Sequence, residues 1–197
     1  MAPFTVMDLA ARRKTARSFA KTPISLDDVL YSIKVAVQAP SGANKQPWRF
    51  ILSTDAELRA KIRAACEEQE KHFHSSVEAN LEEWFKSKNL TWQKPFLTDA
   101  PILVAVFSNR KMPYATESTW LMIGYVVLAL EEKLLSTVTY TPPYPENLGY
   151  LFEAPANYRL ETILPIGYSA DSKPKERRQS FESLIYENVW DRNYPVD

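Results

Sequence analysis

The sequence predicts an α+β fold, a mixed sheet with helices on both faces, in a single domain spanning residues 1–197. Three observations carry this. Segments with a helical apolar period alternate along the chain with short β-branched and aromatic runs. One run, "APILVAVFS" (100–108), is apolar throughout, the mark of a strand covered on both faces. With 45% apolar and 24% charged residues, 197 positions suffice for one sizeable core, and no composition shift marks a second domain.

The elements follow in chain order. "LDDVLYSIKVAVQ" (26–38) places apolar residues at 26, 29, 30, 33 and 37, a helical period with Ser25 as its N-cap. "WRFILS" (48–53) reads as a strand, and "DAELRAKIRAACEEQEKHF" (55–73) as a helix beginning near Asp55. Residues 75–95, polar and aromatic by turns, read as a second helix and a loop, ahead of the strand at 100–108. "ESTWLMIGYVVLALEEKLL" (117–135) is a helix apolar on most sides and therefore central. "TVTYT" (137–141) is a β-branched strand that stops at Pro142-Pro143, and "LETILPIGYS" (160–169) is the last core strand. "KERRQSFESLIYENV" then carries a basic cluster and a short helix into an aromatic tail.

Composition excludes several classes. Lys plus Arg and Asp plus Glu balance at 24 each, so no net charge selects nucleic acid or an anionic membrane. The longest apolar run meets Glu131, Glu132 and Lys133 before the roughly eighteen residues of a membrane span. Charges stand where a signal peptide has its apolar core, so a cytoplasmic location is expected. The single cysteine, Cys66, forbids an internal disulfide and, at helical spacing from Ile62, reads as a buried structural thiol. No Gly-x-Gly-x-x-Gly or Gly-x-x-x-x-Gly-Lys is present, which argues against the common dinucleotide and triphosphate loops. His72 and His74 lie about 200° apart on a helix, poorly set for joint ligation, and no metal is expected.

Three stretches share a chemistry. "RRKTAR" (12–17) concentrates four cations and a hydroxyl, and "ERR" (176–178) adds two guanidiniums. Arginine forks match phosphate oxygens in a bidentate way, although either stretch alone reads as a solvated charge run. Between them, "APSGANKQPW" (39–48) holds more small polar side chains than a turn before a strand requires, so the loop is read as one that holds something.

Taken in order, "RRKTARSF", "APSGANKQPWRF", "TVTYTP" and "LPIGY" followed by "KERRQSFESLI" resemble the flavin-dependent nitroreductase superfamily over nearly the whole chain. The middle and C-terminal stretches look most like its iodotyrosine deiodinase-like branch. The resemblance implies a three-layer α/β/α sandwich with a mixed, mainly antiparallel sheet, and an intertwined homodimer with FMN at the subunit interface. It places the FMN phosphate on Arg13, Lys14, Thr15 and Arg17, with Arg178 and Arg177 closing on it. Pro40, Ser41, Gly42 and Asn44 would lie along the flavin, reaching the partner subunit's cofactor, with Gly42 letting the backbone come close. Thr139, Tyr140 and Thr141 would contact its redox edge, and the Thr141 hydroxyl is the candidate catalytic donor to N5, steering between one- and two-electron chemistry. The backbone N–H of Ala43 would meet the oxygen of an aromatic substrate.

Deiodinase-like members hold an amino acid's zwitterion with a Glu and a Tyr four apart on a helix and a Lys downstream. Counting from Trp92 without gaps puts Lys94 at the Lys, Gln69 at the Glu and Phe73 at the Tyr. Glu68 or Glu70 would substitute only after a one-residue shift, about 100° around the helix. The implied function is an FMN-dependent oxidoreductase that passes electrons from NADH or NADPH to small aromatic acceptors such as nitroarenes, quinones or halophenols. The alternatives are reductive dehalogenation of halotyrosines or halophenols, and a flavin-binding protein without turnover.

Overall fold

Short polar side chains start the helices by accepting backbone N–H groups that the first turn leaves free. In the structure of the protein, a computed structural model describing residues 4–195, Thr5 accepts from the Asp8 N–H while the Asp8 carboxylate accepts from that of Thr5. This capping box opens α1 (Val6–Arg12). Ser25 caps α2 (Leu26–Ala36), as its sequence position predicts, and β1 (Trp48–Ser53) follows. Asp55 caps α3 (Ala56–Ser76) by accepting the Leu58 N–H. Then come α4 (Ala79–Ser87), α5 (Phe96–Asp99), β2 (Ile102–Asn109), α6 (Ala115–Glu132), β3 (Ser136–Thr137) and β4 (Tyr158–Gly167).

The strands lie in the order β1-β2-β4-β3 with every pairing antiparallel. The only parallel element among the described residues is an isolated bridge, Thr15 to Thr137. Alternation along β2 explains its unbroken apolar sequence. Leu103, Ala105 and Phe107 pack with Ile62 and Cys66 of α3 and with Phe96 and Leu97. Ile102, Val104 and Val106 pack on the other face with Val29 of α2 and Met122, Ile123 and Val126 of α6. The result is the expected three-layer α/β/α sandwich.

Three sequence expectations change. The strand foreseen over 137–141 is only two residues long: Val138 and Thr139 leave the ladder, and Tyr140 rejoins β4 through reciprocal backbone bonds with Ile163. On β4, a register shift opposite Val106 and Phe107 leaves Glu161 as a bulge between Leu160 and Thr162. α6 buries Met122, Ile123, Val126 and Leu130, but it is not covered all round, since Trp120, Leu121 and Tyr125 are exposed. Among the described residues no helix is long and apolar enough to cross a membrane.

Candidate functional site

Residues four apart on a helix share a face. On α3, Ile62, Cys66 and Glu70 are all buried, so the stripe that enters the core runs on to a carboxylate and then to His74. Glu70 and His74 emerge in the wall of a cavity of about 570 Å³. There, Glu70 Oε2 lies 3.0 Å from Lys94 Nζ and 3.4 Å from His74 Nε2, while Oε1 accepts the Tyr140 hydroxyl at 2.9 Å. His74 stacks on Phe85 of α4 with ring centres 4.6 Å apart, and Phe73 meets Phe85 edge-on. The cavity therefore joins an aromatic wall, a buried ion pair and the Thr139–Thr141 strap. Burial pushes the Cys66 thiol up to about 12, so it remains protonated and inert behind this wall.

A second cavity of about 500 Å³ shares Arg17 and Leu90 with the first and adds Lys14, Thr15 and Arg178. Next to Arg178, Arg13 has its Nε buried without a hydrogen-bond partner, and burial together with Arg178 lowers the pKa of its guanidinium. Two guanidiniums held close, one with an unsatisfied donor, are the complement of an anion. The donor set fits a phosphate monoester such as that of FMN, which carries about two negative charges. The chain thus brings Thr15, Arg17 and Arg178 to a cavity that adjoins the one lined by Thr139, Tyr140 and Thr141, while Arg13 lies near Arg178 and lines neither.

Other expected residues sit differently. Lys14 Nζ donates to the carbonyls of Asp171 and Lys173 at 2.6 and 2.7 Å, so it ties the two ends of the chain together rather than standing free for phosphate. Arg177 is exposed and lines neither cavity. Gln69 does not line the first cavity; its side-chain amide bonds the backbone N–H and carbonyl of Tyr144. Phe73 and Lys94 do line it. The Tyr140 side chain turns inward to Glu70, and the Thr141 hydroxyl donates at 3.1 Å to the carbonyl of Glu161, which the bulge has left out of the ladder.

Pro40, Ser41, Gly42, Ala43 and Asn44 line neither cavity of their own chain. Their loop is strained, with φ of 48° at Ala43, 53° at Asn44 and 48° at Gln46, the left-handed region that L-residues disfavour. Ser41 Oγ accepts the Gln46 N–H, and the Gly42 N–H donates to Ser118 Oγ on α6, which holds the loop in place. A Cβ on Gly42 would lie 2.7 Å from the Tyr114 ring, so within its own chain this position needs glycine to pack against Tyr114.

Sequence reasoning offers Glu70 only as a substitute for Gln69 after a one-residue shift, and does not place His74 and Phe85 beside it. The signal was present in the phase of α3: counting by fours from Ile62 and Cys66 reaches Glu70 and then His74.

A three-layer α/β/α sandwich with an anion cradle at the joined chain ends and an adjoining aromatic cavity defines a nitroreductase-type protein. The chain belongs to the nitroreductase family, whose sequence profile matches residues 10–168. Within it, the protein is 51% identical over 171 residues to an iodotyrosine deiodinase of Thermotoga neapolitana, covering 87% of this chain and 92% of that one. It is 33% identical to an iodotyrosine deiodinase of Haliscomenobacter hydrossis, over 81% of this chain and 77% of the relative. Its fold superposes with a TM-score of 0.89 on the crystal structure of an oxidized iodotyrosine deiodinase bound to FMN and 3-iodo-L-tyrosine, at 48% identity over 94% of this chain and 99% of that one.

Proposed function

We propose that this protein binds FMN at a homodimer interface and uses electrons from NADH or NADPH to remove halogen reductively from a halotyrosine. The observation that carries the reading is the Glu70–Lys94 pair, opposite charges 3.0 Å apart and largely shielded from water, in a cavity whose lining includes Phe73, Phe85 and Phe96. An α-amino acid has one group for each: its carboxylate for Lys94 and its ammonium for Glu70. Inserting the zwitterion exchanges one ion pair for two, so neither desolvated charge loses its partner. The aromatic side chains receive a phenol ring and exclude water around it. The likeness to iodotyrosine deiodinases supports halotyrosine over nitroarenes as the acceptor.

Arg17 and Arg178, with Thr15, would hold the FMN phosphate in the second cavity, and Arg13, beside Arg178 with its Nε unpartnered, would add charge from behind them. Bound FMN would supply two electrons which, with one proton, replace a carbon–halogen bond by carbon–hydrogen and release halide. Thr141 must turn its hydroxyl from the Glu161 carbonyl to reach the ring edge. Exposed Trp120, Leu121, Tyr125 and Trp190 support a second copy as the covering partner, and so does a strained loop that does not line its own chain's cavity.

Mixed with 3-iodotyrosine after reduction under argon, the protein is expected to release iodide and tyrosine in step with flavin reoxidation. Nitroarene reduction without iodide release would overturn the halotyrosine reading and leave the broader reductase reading; protein that takes up no FMN would overturn both. Thr141→Ala is expected to retain FMN while shifting the ratio of one- to two-electron products, and an unchanged ratio would remove that role.

A further inference from the structure

Glu70 has a third partner that the reading above does not use. Its Oε2 serves Lys94 and His74, whereas Oε1 is taken by the Tyr140 hydroxyl at 2.9 Å. Tyr140 is itself fixed: it is buried, its ring lies edge-on to Phe96 at 5.4 Å, and its backbone is bonded in both directions to Ile163. Its neighbours Thr139 and Thr141 line the same cavity. We propose that Tyr140 is a positioning residue that holds Glu70 in place when a ligand's ammonium displaces Lys94, and so makes the cavity prefer aromatic acceptors bearing an α-amino group over bare phenols. The inference rests on the cavity being an amino-acid site.

The physical argument is preorganisation. A free glutamate gives up rotamer freedom when it grips a ligand. Here a rigid donor on Oε1 has already fixed the carboxylate, leaving the other oxygen presented to the cavity, so that cost precedes binding. Burial, with Cys66 and Glu70 close by, pushes the Tyr140 phenol far above its ordinary range, so the group stays a neutral donor. One strap presents Thr139 and Thr141 and also anchors the carboxylate, which sets the spacing between the ring and ammonium subsites.

The test compares the FMN-loaded wild type with Tyr140→Phe, which keeps the ring and removes the hydroxyl. Affinities for 3-iodotyrosine and for 2-iodophenol are read from flavin fluorescence quenching, and the turnover of 3-iodotyrosine from iodide release. The preference for 3-iodotyrosine over 2-iodophenol is expected to fall roughly tenfold, the scale of one hydrogen bond to a charged group. The loss should appear in KM more than in kcat, and Tyr140→Phe should add nothing in a Glu70→Gln background. Equal weakening of both ligands, or an unchanged preference, would overturn the role of Tyr140 alone. A wild type that binds 2-iodophenol but not 3-iodotyrosine would overturn the amino-acid reading and this inference with it. Should Tyr140→Phe fail to fold, fluorotyrosines placed at position 140 keep the hydroxyl while altering its donor strength. Preference should then track that strength, and no dependence would again overturn the proposal.

Discussion

Glu70 has three side-chain partners, whereas Arg13 Nε, also shut off from water, has none among the described residues. The acidic corner satisfies itself: lysine, histidine and tyrosine converge on one carboxylate, so that both of its oxygens are partnered. The basic end is built the other way. Burial and the nearby Arg178 lower the pKa of the Arg13 guanidinium, and Lys14 is occupied by backbone carbonyls. A ligand completes one end and must compete at the other. A phosphate entering the basic end fills a deficit, while an amino acid entering the acidic corner displaces a contact already made.

The two ends should answer substitution differently. The largest effect is expected at the self-satisfied corner, where Glu70→Ala strands the Lys94 ammonium and should cost about 3 kcal/mol in urea unfolding. Replacing both partners by Met should recover most of it, because the penalty belongs to the unpaired charge. At the deficient end, Arg13→Ala and Arg178→Ala should each weaken FMN by roughly thirtyfold, about 2 kcal/mol, with little change in stability. Riboflavin, which lacks the phosphate, should be affected far less; equal losses for both flavins would dissolve the contrast.

Cys66 supplies a third kind of buried polar group, one that keeps its proton. Its folded value of about 12 lies above the ordinary thiol value of 9.0, so the unfolded chain ionises first. Its stabilising contribution is therefore complete below about pH 9 and is lost as pH rises from there through about 12, by at most about 1.4 kcal/mol per pH unit. Cys66→Ala should lack this slope in alkaline unfolding, and an identical slope would show that other groups cause it. The smallest effect is expected at Gly42→Ala, about 1 kcal/mol. Most of that loss should vanish in a Tyr114→Ala background if the missing Cβ serves packing rather than a ligand.

Much of the architecture was legible because its signals are local. Ser25 and Asp55 announce their helices, and the unbroken run in β2 announces cover on both faces. "TVTYT" misled because β-branched composition shows where a strand is tolerated, not whether the backbone has partners there. Only Tyr140 of its last three residues finds any, through the bridge to Ile163. The basic residues at both ends were readable as chemistry, but the capture of Lys14 by distant carbonyls leaves no trace in its neighbours. Gln69 was chosen by counting back from Trp92 across α4 and an irregular loop, where helical phase is not preserved. The phase within α3 turns Glu70 rather than Gln69 to the cavity, and a one-residue step turns a side chain by about 100°.

The tie from Lys14 to the carbonyls of Asp171 and Lys173 spans 157 and 159 positions. Contacts so remote in sequence are the last a growing polypeptide can make. Translation must therefore pass residue 173 before this tie can form, and a chain stalled on the ribosome before residue 171 would carry the strands and helices of the sandwich without the Lys14 clamp that seats Arg178 beside Thr15 and Arg17.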